Sequence, residues 1–179
     1  IHGNIEALEA VLRQFAALGA IDKYVCLGDI VGYGADPEAC CNRVRELCEV
    51  TLVGNHDAAV AGRMDYSYYY DAAREALDWC AARLSETNMR WLRGLPYKHR
   101  MGHVELSHGS PVSPEDYDYI FAADQARALL PHRESLADVT FIGHSHLTKV
   151  FGLTEEDALD VVAPRFRLKS GLKYVVTVG

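Results

Sequence analysis

Four short strand-like runs constrain this chain most, because each leads directly into a segment that contains glycine and a polar residue able to bind a metal ion. The runs cover residues 24–27, 50–53, 104–107 and 139–142. Short apolar runs bounded by glycine are typical of buried strands. In open α/β sheets, ligands bind beyond the carboxyl ends of the strands. We therefore expect the polar residues that follow the four runs to form one site.

The residue types at these positions predict a dinuclear metal site. The segments are Gly28-Asp29, Gly54-Asn55-His56-Asp57, His108-Gly109 and Gly143-His144-Ser145-His146, and the chain opens with Ile1-His2-Gly3-Asn4. Carboxylate, amide and imidazole ligands without thiolate suit Mn, Fe, Zn or Ni rather than Ca or Cu(I). One tetrahedral zinc ion does not need so many ligands, whereas two ions about 3.5–4 Å apart would use them all.

In this order, the motifs resemble those of the calcineurin-like metallophosphoesterases, and most closely the small bacterial phosphodiesterase-like branch. The family pattern is D-x-H, then G-D, then G-N-H-[DE], then a lone His before Gly, then G-H-x-H. Every element is present except the opening Asp, which would precede Ile1. An ordered set is far more specific than any one motif. The resemblance implies an α/β fold, a four-layer αββα sandwich of two mixed β-sheets flanked by helices.

The resemblance also implies a role for each motif residue. The implied metal ligands are His2, Asp29, Asn55, His108, His144 and His146. Asp29 would bridge the two ions, and His2 and His146 would hold the first ion together with the Asp expected before Ile1. The other three residues would hold the second ion. Mn is the favoured metal.

The predicted reaction is phosphoester hydrolysis by in-line attack of a metal-bridging hydroxide on phosphorus. His56, beside a ligand but not itself one, would donate a proton to the leaving alkoxide. Asp57 or a backbone carbonyl could orient that imidazole. Asn4 and Tyr33 are candidate substrate contacts, although Asn4 is also a good helix N-cap.

The residue at position 33 narrows the range of expected substrates. Ser/Thr protein phosphatases and symmetric dinucleoside tetraphosphatases of the superfamily carry a phosphate-gripping Arg where this chain has Tyr33. Without that bidentate guanidinium, phosphodiesters or nucleotides are favoured, because a diester carries less charge than a monoester. The alternatives are a dinucleoside polyphosphate hydrolase, a phosphomonoesterase or protein phosphatase, and a non-enzymatic scaffold on the same fold. The tyrosines of residues 66–70 either pack onto the fold, which is favoured, or stack on a nucleobase.

Length and composition indicate one globular domain over residues 1–179. The resemblance implies that it is a metallophosphoesterase domain, with residues 58–131 as a helical and hairpin insert near the site. The net charge of −7 argues against a duplex nucleic-acid partner. No membrane-spanning run or signal peptide is visible, so we expect a cytoplasmic protein with a small phosphorylated or nucleotide substrate and no membrane partner. Both ends look truncated, since relatives also continue past Gly179 with a Gly-Ser turn and a closing strand.

Periodicity and capping residues predict the remaining elements. Helices are expected from the Asn4 cap to Gly19, over 37–48 and 71–84, after Ser85, and over 124–130. Strands are expected as a hairpin over 97–107 and as three runs over 148–153, 161–168 and 173–178. The five cysteines are expected to be small buried hydrophobic residues in a reducing compartment.

Overall fold

The computed structural model describes residues 1–163 and 165–179, which divide into two units, Ile1–Pro96 and Tyr97–Gly179. The first unit is mostly helical and contains a small parallel sheet, and the second is built on a six-stranded mixed sheet. The predicted α/β class, with two sheets and accompanying helices, is confirmed. Among the helices that the model describes, none is long and apolar enough to cross a bilayer.

The elements of the first unit alternate between helix and strand as far as the third helix, and two further helices follow. They are α1 (Ile5–Ala17), β1 (Tyr24–Cys26), α2 (Pro37–Leu47), β2 (Cys48–Thr51), α3 (Asn55–Val60), α4 (Asp71–Ala81) and α5 (Glu86–Gly94). β1 and β2 are parallel, and α2 is the crossover that parallel neighbours need. Two predicted caps are confirmed: the Asn4 side chain accepts from the N–H of Ala7 at 2.9 Å, and Ser85 accepts from Asn88 at 3.2 Å.

The short helix α3 lies at the centre of the first unit, with all six of its residues buried. It packs against α4 and α5, and the apolar residues Leu52 and Val53, which precede it, are fully buried. The five cysteines carry free thiols, and four of them are buried. Asn55 and His56 therefore begin a buried helix directly after β2, rather than lying on an open loop.

The Asp57 carboxylate joins this helix to the loop that follows β1. Its Oδ1 accepts from the backbone N–H groups of Ile30 at 2.9 Å and Val31 at 3.1 Å, and its Oδ2 accepts from Gly54 at 3.0 Å. Asp57 is fully buried, so its charge depends on these bonds for compensation. Sequence reasoning considered Asp57 only as a partner for His56, and its bonds to three backbone groups were not foreseen.

The second unit consists of a mixed sheet and short helical turns. Its strands are β3 (Lys98–Met101), β4 (Val104–Ser107), β5 (Val139–Ile142), β6 (Thr148–Leu153), β7 (Ala158–Asp160) and β8 (Lys173–Val178), in the spatial order β3-β4-β5-β8-β6-β7. The neighbours β4, β5 and β8 are parallel, and the other pairs are antiparallel. Ser107 lies opposite Ile142, so the segments that follow β4 and β5 leave the sheet at the same edge.

The core of this unit lies between the sheet and the helical turns. Ile142, Phe151, Leu153 and Val175 are fully buried from the strand side. From the helical side, α6 (Ala123–Arg127) contributes Ala126, and the segments beside it contribute Ile120, Leu129 and Leu136. Helical turns packed on one apolar sheet face bury that face.

Two sequence expectations differ from the structure in this unit. The predicted strand over 161–168 is wrong for the described residues 161–163 and 165–168; the strand lies earlier, at Ala158–Asp160. Pro164, which falls outside the described residues, lacks the N–H that a strand donates. The helix predicted over 124–130 ends at Arg127, and a 3-10 helix covers Leu130–Ser135. Pro131 has no N–H to donate to the Arg127 carbonyl, as an α-helix continued through it would require.

We predict that Asp57→Asn lowers the free energy of unfolding by about 1–3 kcal/mol for each backbone donor that it leaves unsatisfied. The amide presents an NH₂ group to backbone donors that now face carboxylate oxygen, and buried unsatisfied donors cost about that much each. Urea denaturation followed by circular dichroism measures the change. The exposed Asp160→Asn is the control and should stay within about 0.5 kcal/mol of the parent. Equal effects of the two substitutions would contradict the structural role of Asp57.

Candidate metal centre

His2 and Asp29 form a pair of ligand-type side chains in the first unit. The Nε2 atom of His2 lies 3.4 Å from Oδ2 of Asp29. The Nδ1 atom of His2 lies 3.1 Å from the carbonyl oxygen of Val31. A carbonyl only accepts, so Nδ1 carries the proton and the Nε2 lone pair faces Asp29. A hydrogen bond from the second ring nitrogen to a backbone carbonyl, as from Nδ1 to Val31, is typical of metal-binding histidines.

The protonation state of His2 fits the same role. Burial is the largest influence and lowers the pKa of His2 to about 4, although the Asp29 charge acts in the opposite direction. The imidazole is therefore neutral near pH 7, which is the form that binds metal ions. A neutral imidazole and a carboxylate are ligands that divalent transition metals accept.

Asp29 is held by the first turn of α3. Its Oδ1 accepts from the backbone N–H of His56 at 3.1 Å, and the residue is buried. A Cβ atom on Gly54 would overlap both the carboxylate and the backbone nitrogen of Asp29. Glycine at position 54 therefore lets the Asp29 carboxylate approach the start of α3 closely enough to bond there.

Most of the predicted ligands have an unusual backbone conformation. Positive φ angles occur at the predicted ligands His2 (53°), Asp29 (52°), His144 (62°) and His146 (54°), and at the predicted substrate contact Tyr33 (60°). A left-handed conformation in a residue other than glycine costs of order 1–3 kcal/mol and is concentrated at functional sites. The same conformation occurs at Ser113 and Tyr117, so it is shared by four predicted ligands without being confined to the motifs.

His56 is a buried residue of α3 with its ring among aromatic neighbours. Its ring centroid lies 4.7 Å from that of His2, edge-on, and 4.6 Å from that of Tyr33. A Cβ atom on Gly32 would overlap Nδ1 of His56. Gly32 lies in a bend of the chain with φ of 90°, and its missing side chain makes room for the His56 ring.

The two predicted substrate contacts have different surroundings. Tyr33 is 53% exposed, and its ring also lies 4.7 Å from that of His2, so it borders the His2–His56 pair at the surface. Asn4 is an exposed residue whose Oδ1 atom caps α1. A substrate contact by either residue stays a prediction.

Three predicted ligands lie in the second unit, on the segments that follow β4 and β5. His108 and His144 are buried, and their ring centroids are 4.9 Å apart. The carbonyl oxygen of His108 accepts from the N–H of Gly143 at 2.9 Å, which ties the two segments together. His146, two residues beyond His144, is exposed.

The ring of Tyr119 stacks on that of His144, with centroids 3.8 Å apart and an interplanar angle of 18°. The sequence motifs give Tyr119 no role. Tyr117, two residues earlier in the same segment, has its ring centroid 5.8 Å from that of His108. Tyrosines from one loop therefore contact both buried histidines of this unit.

Comparisons with known proteins agree with the motifs. Residues 1–176 match the family model described as calcineurin-like phosphoesterase. An uncharacterized protein of Methanocaldococcus jannaschii is 34% identical over 183 residues, covering 100% of this chain and 72% of that protein. A metallophosphoesterase of Sphaerobacter thermophilus has a TM-score of 0.77 and 31% identity, over 98% of this chain and 71% of that chain.

A hypothetical protein of Pyrococcus horikoshii shares the fold, with a TM-score of 0.70 and 21% identity over 99% of this chain and 72% of that one. Together with the Sphaerobacter structure, it shows that the two sheets and their helices match the metallophosphoesterase fold.

We predict that Gly32→Ala destabilises the protein more than Gly62→Ala does. Both glycines have positive φ, at 90° and 71°, but a Cβ atom at position 62 meets nothing within 4 Å. Both substitutions therefore carry a backbone penalty, because a side chain is strained at positive φ. Only Gly32→Ala adds a collision with His56. We expect an additional loss of about 1–3 kcal/mol for Gly32→Ala, the usual range for overpacking, measured by urea denaturation. Equal losses would show that Gly32 is not needed to make room for the His56 ring.

Proposed function

Because this chain belongs to the calcineurin-like phosphoesterase family and is a metal-dependent phosphoesterase, we propose that it hydrolyses phosphodiesters or nucleotides with two divalent transition-metal ions. Mn²⁺ is the favoured metal, and Fe, Zn and Ni are the other candidates. The observation that carries the proposal is the His2–Asp29 pair, in which Nε2 lies 3.4 Å from Oδ2 while Val31 holds the other ring nitrogen.

The metal ligands are assigned from the family motif, residue by residue. Asp29 would hold both ions, His2 and His146 would hold the first, and Asn55, His108 and His144 would hold the second. The bound ions would lower the pKa of water to give a nucleophile and would neutralise charge on the phosphoryl group. The protein's own contribution is to hold these ligands in place. The carboxylate of Asp29 is held by the His56 N–H, and the imidazole of His144 by the stacked Tyr119 ring.

His56 is proposed as the proton donor to the leaving alkoxide. A general acid must be near the reacting group and fixed in orientation. The buried ring of His56 is confined by the rings of His2 and Tyr33. It also packs closely against Gly32, where any side chain would collide with it. Tyr33, exposed beside that ring, is proposed to contact the substrate there.

A cavity of about 310 Å³ in the second unit supports an ester with an uncharged organic group. The residues that line it include Asp116 and Asp118 and the apolar residues Ile120 and Leu129. Among the described residues that line it, none is Lys or Arg. Tyr119, which stacks on His144, also lines the cavity. An acidic, partly apolar cavity disfavours a second phosphate group and accepts a neutral organic group.

The test of the proposed reaction is an assay panel on metal-depleted protein after addition of each candidate ion. We expect Mn²⁺ to restore hydrolysis of bis(4-nitrophenyl) phosphate at least about 100-fold over the metal-depleted protein, since the ions supply the nucleophile. The panel includes 4-nitrophenyl phosphate, a phosphopeptide and a dinucleoside tetraphosphate. His108→Ala is the inactive control, and His103→Ala, an exposed histidine, is its matched control.

Each outcome of the panel has a meaning. Preference for the monoester, the phosphopeptide or the tetraphosphate would replace the proposed substrate class by one of these alternatives. Absence of turnover of every compound with every ion would favour a binding scaffold on this fold.

We predict that Ala128→Tyr, which places a large side chain in the cavity wall, weakens selection for a bulky organic group on the phosphodiester. The ratio of kcat/KM for a thymidine phosphodiester to that for a methyl phosphodiester of the same nitrophenol should fall about tenfold, since excluding a group from a pocket costs about 1–3 kcal/mol. Ala82→Tyr is the matched control, because both alanines are exposed C-cap residues of helices. An unchanged ratio would show that the cavity does not hold that organic group.

A further inference from the structure

The side chain of Asn55 makes a hydrogen bond that the proposed chemistry does not use. Its Nδ2 atom donates to the hydroxyl oxygen of Tyr69 at 2.7 Å. Asn55 is buried at the start of α3, and Tyr69 is half-buried on the segment that precedes α4. The contact joins a predicted metal ligand to a tyrosine that sequence analysis could assign only to packing or to base stacking.

An asparagine ligand needs such a partner for a chemical reason. The carboxamide has two ends of similar size, and only the carbonyl oxygen can bind a cation, because the NH₂ group is a donor. A rotation of about 180° about the last side-chain bond would replace the ligand oxygen by nitrogen. A hydrogen-bond acceptor on the NH₂ side stabilises the orientation in which Oδ1 points away from it.

We infer that Tyr69 is a positioning residue, whose hydroxyl fixes the Asn55 amide with its carbonyl oxygen toward the second metal ion. The inference rests on the proposed function only in taking Asn55 as a ligand. Tyr69 acts through Asn55 and is assigned no contact with the substrate.

The segment that carries Tyr69 is held firmly enough for this role. The Tyr66 hydroxyl donates to Oδ1 of Asp78 at 2.6 Å, and Arg74 donates to the carbonyl oxygen of Ser67 at 3.2 Å. Both contacts tie the segment to α4. The ring of Tyr68 meets that of Tyr69 edge-on at 5.0 Å, but Tyr68 itself is 70% exposed. Tyr66 therefore helps to hold the segment that carries Tyr69, whereas Tyr68 mainly faces solvent.

The first test is calorimetric titration of Mn²⁺ into metal-depleted protein. Tyr69→Phe should weaken one of the two Mn²⁺ sites about 10- to 100-fold, the usual effect of losing a second-sphere partner, and leave the other site unchanged. Tyr70→Phe, which removes a hydroxyl from the next tyrosine, 65% exposed, should bind as the parent does. Two parent-like dissociation constants for Tyr69→Phe would overturn the inference.

A double-mutant cycle separates positioning from a general structural effect. In Asn55→Asp, either carboxylate oxygen can face the metal, so the orientation of the group no longer matters. Tyr69→Phe should then change Mn²⁺ affinity less than about twofold in the Asn55→Asp background, although it changes it strongly in the parent. An equal loss in both backgrounds would mean that Tyr69 only supports the fold, and the inference would fail.

The titration also separates this inference from the proposed function. If the parent binds two Mn²⁺ ions, shows the Tyr69 effect and hydrolyses none of the panel, the positioning role stands and the proposed reaction fails. If the panel is hydrolysed and Tyr69→Phe binds Mn²⁺ as the parent does, the reaction stands and the positioning role fails. A parent that binds no Mn²⁺ would overturn both.

Discussion

The buried carboxylate of Asp57 is the contact on which the first unit depends. It gathers the backbone N–H groups of Ile30, Val31 and Gly54, and so fixes the loop after β1 against the first turn of α3. Asp29 lies on that loop and His56 on that turn. The backbone N–H of His56 donates a further hydrogen bond to the Asp29 carboxylate. A helix of six residues is too short to be stable alone. Its position therefore comes from these bonds and from burial.

Close approach of backbone and side chains explains why this region needs glycine and tolerates strain. A Cβ atom at Gly54 would collide with Asp29, and one at Gly32 would collide with His56. The same loops hold His2 and Asp29 in the left-handed region, where ordinary side chains are strained. The fold stabilises these conformations with bonds such as that from the His2 amide to the Asp29 carbonyl oxygen, at 2.8 Å. The unfavourable local geometry gives ligand-type atoms that are fixed before any ion binds.

Sequence reasoning succeeded where one local signal determines the structure. The strands Val139–Ile142, Thr148–Leu153 and Lys173–Val178 have the predicted bounds, because apolar runs bounded by polar residues specify them. Sequence reasoning failed where a contact between segments far apart in the sequence determines which residues hold the site. No period or motif indicates that Asp57 bonds the loop after β1, that Tyr119 stacks on His144, or that Tyr69 reaches Asn55. The motif residues were predictable as a set, but the residues that hold them were not.

The proposed ligands explain how an acidic chain can attract an anionic substrate without an arginine at position 33. Of the six proposed ligands, one is a carboxylate, four are imidazoles and one is an amide. Two divalent ions held by such a set would bring an excess of positive charge to the site. That excess would attract the single negative charge of a diester. Asp116 and Asp118 line the cavity of the second unit, where their charge would oppose a second phosphate group. A neutral amide at position 55 preserves this balance, and the requirement to orient it explains why Tyr69 accepts a hydrogen bond from its nitrogen.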